Sequence, residues 1–138
     1  MKNKLWIVVI TVAVAGTLYA EHTYEKVASA HDIMELVQKP NMDALADMMK
    51  ADGPQSDRDW KHAKAHASVL AESSQLLLMA GRIKDDVWET GAKTVISAGK
   101  ASMQAAEARD LGAWKTATAG IGKGCRGCHK VHKPKKKE

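Results

Sequence analysis

Apolar and small residues recur along most of this 138-residue chain at spacings of three and four positions. That spacing places side chains on one face of an α-helix, whereas a half-buried strand requires alternation of apolar and polar residues. Neither such alternation nor a run of β-branched residues occurs between residues 21 and 132. The pattern therefore predicts an all-α protein.

Helix-breaking and capping residues divide the pattern into four helices. The first is predicted over about residues 21–49, with Pro40 kinking or dividing it because proline lacks an amide donor. The second opens at Ser56, the third near Asp85 and the fourth after Asp110. The predicted inward faces are, in helix order, Val27, Ala30, Met34, Val37, Met42, Leu45 and Met49; Trp60, Ala63, Ala67, Leu70, Ser74 and Leu77; Trp88, Ala92, Val95, Gly99, Ser102 and Ala106; and Leu111, Trp114, Thr118, Ile121, Cys125, Cys128 and His132.

Four amphipathic helices with short connections predict an antiparallel four-helix bundle that holds any ligand between facing helices. The aromatic residues available to its core are few, namely Tyr24, Trp60, Trp88 and Trp114. A large apolar ligand would therefore supply much of the missing bulk.

The fourth predicted helix ends in Cys125-Arg126-Gly127-Cys128-His129, which has the C-x-x-C-H spacing of covalent c-type haem attachment. Positions i, i+3 and i+4 share one face of a helix, so both thiols and the imidazole point at the same ligand. The motif predicts one covalent haem c, attached through Cys125 and Cys128, with His129 as the proximal iron ligand. The nearby Gly120, Gly122, Gly124 and Gly127 are interpreted as room for the porphyrin.

Zinc binding and thiol redox chemistry are the alternative uses of these cysteines. A zinc site would combine the two thiols with His129 or His132, but zinc fingers place their histidines further downstream. A thioredoxin-like pair expects a βαβ context, which this helical pattern lacks.

Residues 1–20 have the order of a secretory signal peptide. Lys2 and Lys4 precede an apolar run over residues 5–15, and Ala20 precedes polar residues, so cleavage is expected after Ala20 or, alternatively, after Ala15. The run is short for a membrane span, and no stable span is expected after cleavage, although an uncleaved signal anchor stays open. The prediction for the remaining chain is one domain over residues 21–132 and a basic tail over residues 133–138.

Positive charge is concentrated at the motif end of the chain. Residues 21–122 contain 12 Lys and Arg against 15 acidic residues, whereas residues 123–138 contain seven against one. The tail is interpreted first as a solvated end and alternatively as part of a basic surface that steers an acidic redox partner. Nucleic-acid binding is not expected, because the tail has no interleaved aromatic residues.

A helical chain with C-x-x-C-H in the last turns of its last helix resembles the class II c-type cytochromes, the family of cytochrome c′ and its low-spin relatives. The resemblance covers nearly all of residues 21–132 and implies a haem-binding domain exported to the periplasm. In this family the residue on the distal side of the iron comes from the first helix, so the resemblance implies Met34 as sixth ligand. His31 and an open five-coordinate site are the alternatives. Ala30 stands where relatives often carry Arg, which weakens the case for a gas pocket.

The expected function is that of a monohaem electron carrier between redox proteins that have an acidic docking face. The alternatives are a five-coordinate protein that binds nitric oxide or carbon monoxide, and a zinc-stabilised interaction protein. An enzyme is not expected, because the chain shows no Ser/His/Asp set, no paired carboxylates and no phosphate-binding glycine loop. The sequence leaves a homodimer open.

Overall fold

The computed structural model describes residues 25–132, which form four helices joined by turns, with no strand in this part of the chain. Helix α1 has three continuous segments, α-helical over Ala30–Ile33, π-helical over Met34–Gln38 and α-helical over Lys39–Lys50. Helices α2, α3 and α4 are Asp57–Leu76, Asp86–Ala108 and Leu111–His132. The prediction of an all-α helical bundle is confirmed.

The predicted signal peptide over residues 1–20 and the predicted tail over residues 133–138 lie outside the described residues. The predicted domain over residues 21–132 is described from residue 25 onward. None of the helices between residues 25 and 132 is long and apolar enough to cross a membrane.

Side chains placed just before α2, α3 and α4 fix where these helices begin. Ser56, Asp85 and Asp110 each accept a hydrogen bond from the backbone amide three residues downstream, at 3.1, 2.9 and 2.9 Å. Such N-caps satisfy amides that have no partner within the helix. All three predicted starts are confirmed.

The start of α1 differs from the prediction. Ser29 caps this helix, because its hydroxyl accepts from the Asp32 amide while the Asp32 carboxylate accepts from the Ser29 amide. This reciprocal pair is a capping box, which ends the preceding extended chain at Ser29. Val27 therefore lies outside the helix and is 94% exposed, so its predicted place in the core is wrong. Val37 is also exposed, whereas Ile33, which the prediction omitted, is buried.

Pro40 divides α1 into segments. The hydrogen-bond register of the helix changes before Pro40, but the helix does not end there. The amide of Lys39 bonds to the carbonyl of Met34, five residues earlier, which closes the π turn. Pro40 then stands in the first turn of the next α-helical segment, where a missing amide is tolerated. The expected division is confirmed, and the helix continues to Lys50.

The core consists of two clusters stacked along the bundle. One surrounds Trp114, which is fully buried and packs edge-to-face on Trp60 at a ring distance of 6.2 Å. The other lies at the motif end, where Ile33, Trp88 and Cys128 pack together. Most predicted inward positions of α2, α3 and α4 are buried, namely Ala63, Ala67, Leu70, Ser74, Leu77, Trp88, Ala92, Val95, Gly99, Ser102, Ala106, Trp114, Thr118, Ile121 and Cys128. Trp60, Cys125 and His132 are half-buried. Leu111, the first residue of α4, is exposed, so its predicted place in the core is wrong.

Small residues on α3 let the neighbouring helices approach closely. A Cβ atom added at Gly99 would lie 3.0 Å from both the carbonyl oxygen of Ala67 and the Cβ of Ala71 on α2. One turn further along the same face of α3, the hydroxyl groups of Ser102 and Thr118 form a buried hydrogen bond of 2.8 Å to α4. The small residues on this face of α3 therefore set the distances from α3 to α2 and α4.

We expect Gly99→Ala to lower the free energy of unfolding by about 1–2 kcal/mol, because overpacking outweighs the better helix propensity of alanine. Gly112→Ala is the matched control, since a Cβ there meets only Asp110 at 3.6 Å. The control is expected to keep or raise stability. Urea unfolding monitored by circular dichroism measures both variants, and equal stability of the two would contradict the packing argument.

Candidate functional site

A cavity of about 260 Å³ lies beside the C-x-x-C-H motif, at the motif end of the core. All four helices line it. Met34 contributes from α1, Leu70 from α2, Trp88 from α3 and the motif residues Cys125, Cys128 and His129 from α4. The structure therefore brings together Cys125, Cys128, His129 and Met34, but it does not place the alternative ligand His31 in this cavity.

The two thiols face the bundle interior, as the phase of α4 predicted. Cys128 is buried in the motif-end cluster, and Cys125 is half-buried against the cluster around Trp114. His129 follows on the same helix, is largely exposed and lines the cavity with them. The side chains of Cys125, Cys128 and His129 thus border one shared space.

The thiols are held in their protonated form. Burial raises the pKa of the Cys125 thiol, and burial together with the Asp85 carboxylate raises the pKa of the Cys128 thiol. The motif also lies in the last turns of α4, where the negative end of the helix dipole disfavours a thiolate. Redox-active cysteine pairs instead have a lowered pKa, often at a helix N-terminus. The site does not favour the thiol-redox alternative.

Met34, rather than His31, reaches the cavity from the first helix. A second pocket shares Met34, Trp88 and His129 with the cavity and is also lined by His31. His31 borders only this second pocket, whereas Met34 borders both spaces. Met42 also lines the cavity, but it lies two turns further along α1 and does not share the second pocket with His129. Lys39 also borders both spaces, but its ammonium group is paired with Asp43. Met34 is therefore the candidate sulfur ligand of the first helix that borders both spaces.

His132 ties the end of α4 to the beginning of α3. Its Nε2 donates to the Asp85 carboxylate at 3.0 Å, and its ring packs edge-to-face on Trp88 at 5.6 Å. The amide of Trp88 and, to a smaller extent, His132 hold the pKa of Asp85 below its usual range. This contact was not predicted, because the two residues are far apart in sequence and neither is apolar.

The position of His132 also bears on the zinc alternative, which needs this imidazole or that of His129 beside both thiols. His132 instead bonds to Asp85. Over residues 25–132, no group of three or more His, Cys, Asp or Glu side chains is arranged to hold a metal ion.

The glycines near the motif serve helix packing more than ligand space. Of the four, Gly124 lines the cavity. A Cβ on Gly124 would lie 2.9 Å from Val95, and one on Gly120 would lie 3.1 Å from Ala98, both on α3. The interpretation as room for a porphyrin is therefore wrong for Gly120, which faces α3 and does not line the cavity. For Gly122 and Gly127, which face no other helix, it stays a prediction.

Several polar groups in the cavity wall were missed by the sequence analysis, namely Gln38, Lys39 and Asp43, or assigned only to packing, namely Ser74 and Trp88. Gln38 on α1 donates through Nε2 to the Ser74 hydroxyl at 3.0 Å. Trp88 forms another wall and donates its indole N–H to the Leu77 carbonyl at 2.9 Å. Trp88 was predicted as a core residue, but Gln38 gave no signal, because a glutamine on a helix is ordinarily read as surface.

The residues fit a flat, mostly apolar group that is held covalently. Two thiols can form thioether links, an imidazole and a thioether sulfur are known axial ligands of c-type haem, and the remaining walls are largely apolar. The cavity and its adjoining pocket, about 260 and 390 Å³, together reach the size of ordinary ligand sites.

Comparisons with protein-family models, with curated proteins and with solved structures find no match to this chain. The functional assignment therefore depends on the chemistry and geometry of the chain's own side chains.

Asp85→Ala should destabilise the protein by about 1 kcal/mol, because it removes both the cap of α3 and the acceptor for His132. Asp85→Asn keeps a capping oxygen and is expected to lose less. Since the folded-state pKa of Asp85 is lowered, the stabilising effect of its charge is complete above the ordinary carboxyl pKa and disappears as the pH falls through the folded-state value. The difference in unfolding free energy between wild type and Asp85→Asn should therefore shrink below about pH 4, measured by urea unfolding. A pH-independent difference would contradict this role.

Proposed function

We propose that this protein is an exported monohaem c-type cytochrome that carries single electrons between redox partners. The main support for the proposal is that one cavity between the four helices is lined by Cys125, Cys128, His129 and Met34. The spacing of the first three is that of haem attachment, and Met34 comes from a different helix more than 90 positions away.

Each of these residues has a defined role in the proposal. Cys125 and Cys128 hold the porphyrin through thioether bonds, His129 is the proximal iron ligand and Met34 is the sixth ligand. Haem c supplies a one-electron iron couple when bound. With both axial positions filled by protein side chains, the site needs no substrate pocket, and the fixed ligands keep the reorganisation that accompanies electron transfer small.

The surrounding side chains support this role by giving most of the cavity an apolar lining. Leu70, Trp88, Ala92 and Val95 form an apolar wall, and Trp88 is held rigidly by its hydrogen bond to the Leu77 carbonyl. Hydrophobic surroundings and axial ligand identity are two of the levers by which a protein sets the potential of a haem. These residues therefore place apolar side chains around the proposed ligand set.

Basic side chains beside the motif supply the proposed docking surface. Lys123, Arg126 and Lys130 are exposed on α4 and line a groove against α3, with Asp86 on its other side. Gly124 and Cys128 border both this groove and the cavity, so a partner bound in the groove would lie directly behind the attachment site. The positive charge favours a partner with an acidic docking face.

The location and family follow from the same proposal. The basic, apolar and small-residue order of residues 1–20 supports export to the periplasm. The all-α bundle and the late position of the motif support membership of the class II c-type cytochromes.

Met34→Ala should open the sixth coordination position. In the reduced state we expect wild type to have sharp low-spin absorption bands and no response to carbon monoxide, whereas the variant should lose that spectrum and bind the gas. Met48→Ala is the matched control, because Met48 is a half-buried methionine of the same helix that packs on the other core cluster.

Two results would contradict the ligand assignment. An unchanged spectrum in Met34→Ala would exclude Met34 as ligand. A wild-type protein that binds carbon monoxide would support the five-coordinate, gas-binding alternative in place of the electron carrier.

Charge reversal of the α4 groove should slow reduction by an anionic reagent. We expect the triple variant Lys123→Glu, Arg126→Glu, Lys130→Glu to react several-fold more slowly with ferrous EDTA at low ionic strength, and the difference to fade at high salt. The matched control reverses Arg58, Lys61 and Lys100, which are exposed on α2 and α3, so that both variants change the net charge by the same amount. Stopped-flow absorbance measures the rates. Equal slowing in both variants would show that net charge, rather than this groove, governs the encounter.

A further inference from the structure

The π turn at Met34–Gln38 changes which side of α1 faces the core. An α-helix turns about 100° per residue, so Ile33 and Leu45, twelve positions apart, would lie about 120° apart around a regular helix. A π turn contains one more residue than an α-helical turn for the same rotation around the helix axis. Ile33 and Leu45 therefore lie within about 20° of each other around the axis. Ile33 is 6% exposed and Leu45 is fully buried, as this alignment requires.

The same shift sets the direction of Met34. In a regular helix Met34 would lie about 20° from the line of Leu45, inside the core, whereas the inserted residue moves it to about 80°. That position is at the core edge, where Met34 borders both the cavity and the pocket that contains His129.

A hydrogen bond to α2 closes the π turn at its C-terminal end. The Nε2 of Gln38 donates to the Ser74 hydroxyl at 3.0 Å, and that hydroxyl donates its own hydrogen to the Leu70 carbonyl at 2.7 Å. Ser74 is fully buried, so this bond has little competition from water. Losing the Gln38 donor would leave a buried acceptor site of Ser74 without its partner.

A second contact to α2 follows one turn later. The Nδ2 of Asn41 donates to the Val37 carbonyl at 2.6 Å, and its Oδ1 accepts from Nδ1 of His66 at 2.8 Å. The irregular turn is therefore attached to α2 on both sides of Pro40.

We propose that Gln38 is a positioning residue, which holds the π turn through Ser74 and thereby keeps Met34 directed at the haem site. This inference rests on the proposed function, since it assigns the support of the sixth ligand. The competing explanation is that Pro40 alone imposes the change of register, because it lacks the amide that a regular turn would use. The two explanations differ in what a change of the Gln38 side chain does.

The test uses the haem-loaded protein with Gln38→Met, which keeps the length of the side chain and removes the donor. We expect the amide of Lys39, which bonds to the Met34 carbonyl, to exchange with solvent about tenfold faster. We also expect the reduced variant to bind carbon monoxide measurably although Met34 is still present. Gln104→Met, on the exposed face of α3, is the matched control and should change neither quantity.

Ser74→Ala removes the acceptor from the other helix and provides a second variant, which should reproduce both effects if Gln38→Met fails to fold. Unchanged Lys39 exchange in the folded variants would overturn the proposal in favour of Pro40. Faster exchange without carbon monoxide binding would also overturn it, because the bond would then hold the turn without positioning the ligand.

The experiments distinguish failure of the proposed function from failure of the positioning role of Gln38. If Met34→Ala opens the iron site and Gln38→Met does not, the positioning role is wrong and the electron carrier stands. If Met34→Ala leaves the spectrum unchanged, the ligand assignment and the positioning role are both wrong.

Discussion

The close packing of α4 on α3 is the constraint on which the site depends. Gly91 lies so near the motif that a Cβ there would be 2.8 Å from the Cβ of Cys128. Because Trp114, Ile121 and Cys128 follow one helical face, the packing that buries the first two also fixes the direction of the third. The attachment motif therefore needs no loop of its own, since it uses the geometry of the bundle core.

Most of this arrangement could be predicted because it obeys local rules. The starts of α2, α3 and α4 are set by side chains that cap the next few amides, and their inward faces follow a constant rotation per residue. The placement of Cys125 and Cys128 toward the interior belongs to the same class of inference. No long-range information is needed for any of these features.

In the first helix, these local rules gave wrong predictions. A periodic pattern assumes one rotation per residue throughout, so the sequence analysis omitted Ile33 from the core and included Val37. The register shift between them involves Pro40, which local rules do flag, and a hydrogen bond between Gln38 and Ser74, which they do not. The hydrogen bond between His132 and Asp85 was not predicted for the same reason, because both residues are polar and 47 positions apart.

Local sequence rules determine one side of the site, and long-range hydrogen bonds determine the other. On the α4 side, the thiols and His129 stand on a regular helix that is pressed against α3 without room for adjustment. On the α1 side, Met34 stands on an irregular turn that is held by a few hydrogen bonds to α2. A small change in those bonds alters the distal side while the attachment side stays in place. Under the proposed function, the choice between a six-coordinate electron carrier and an open, gas-binding iron depends on one turn of the first helix rather than on the C-x-x-C-H motif.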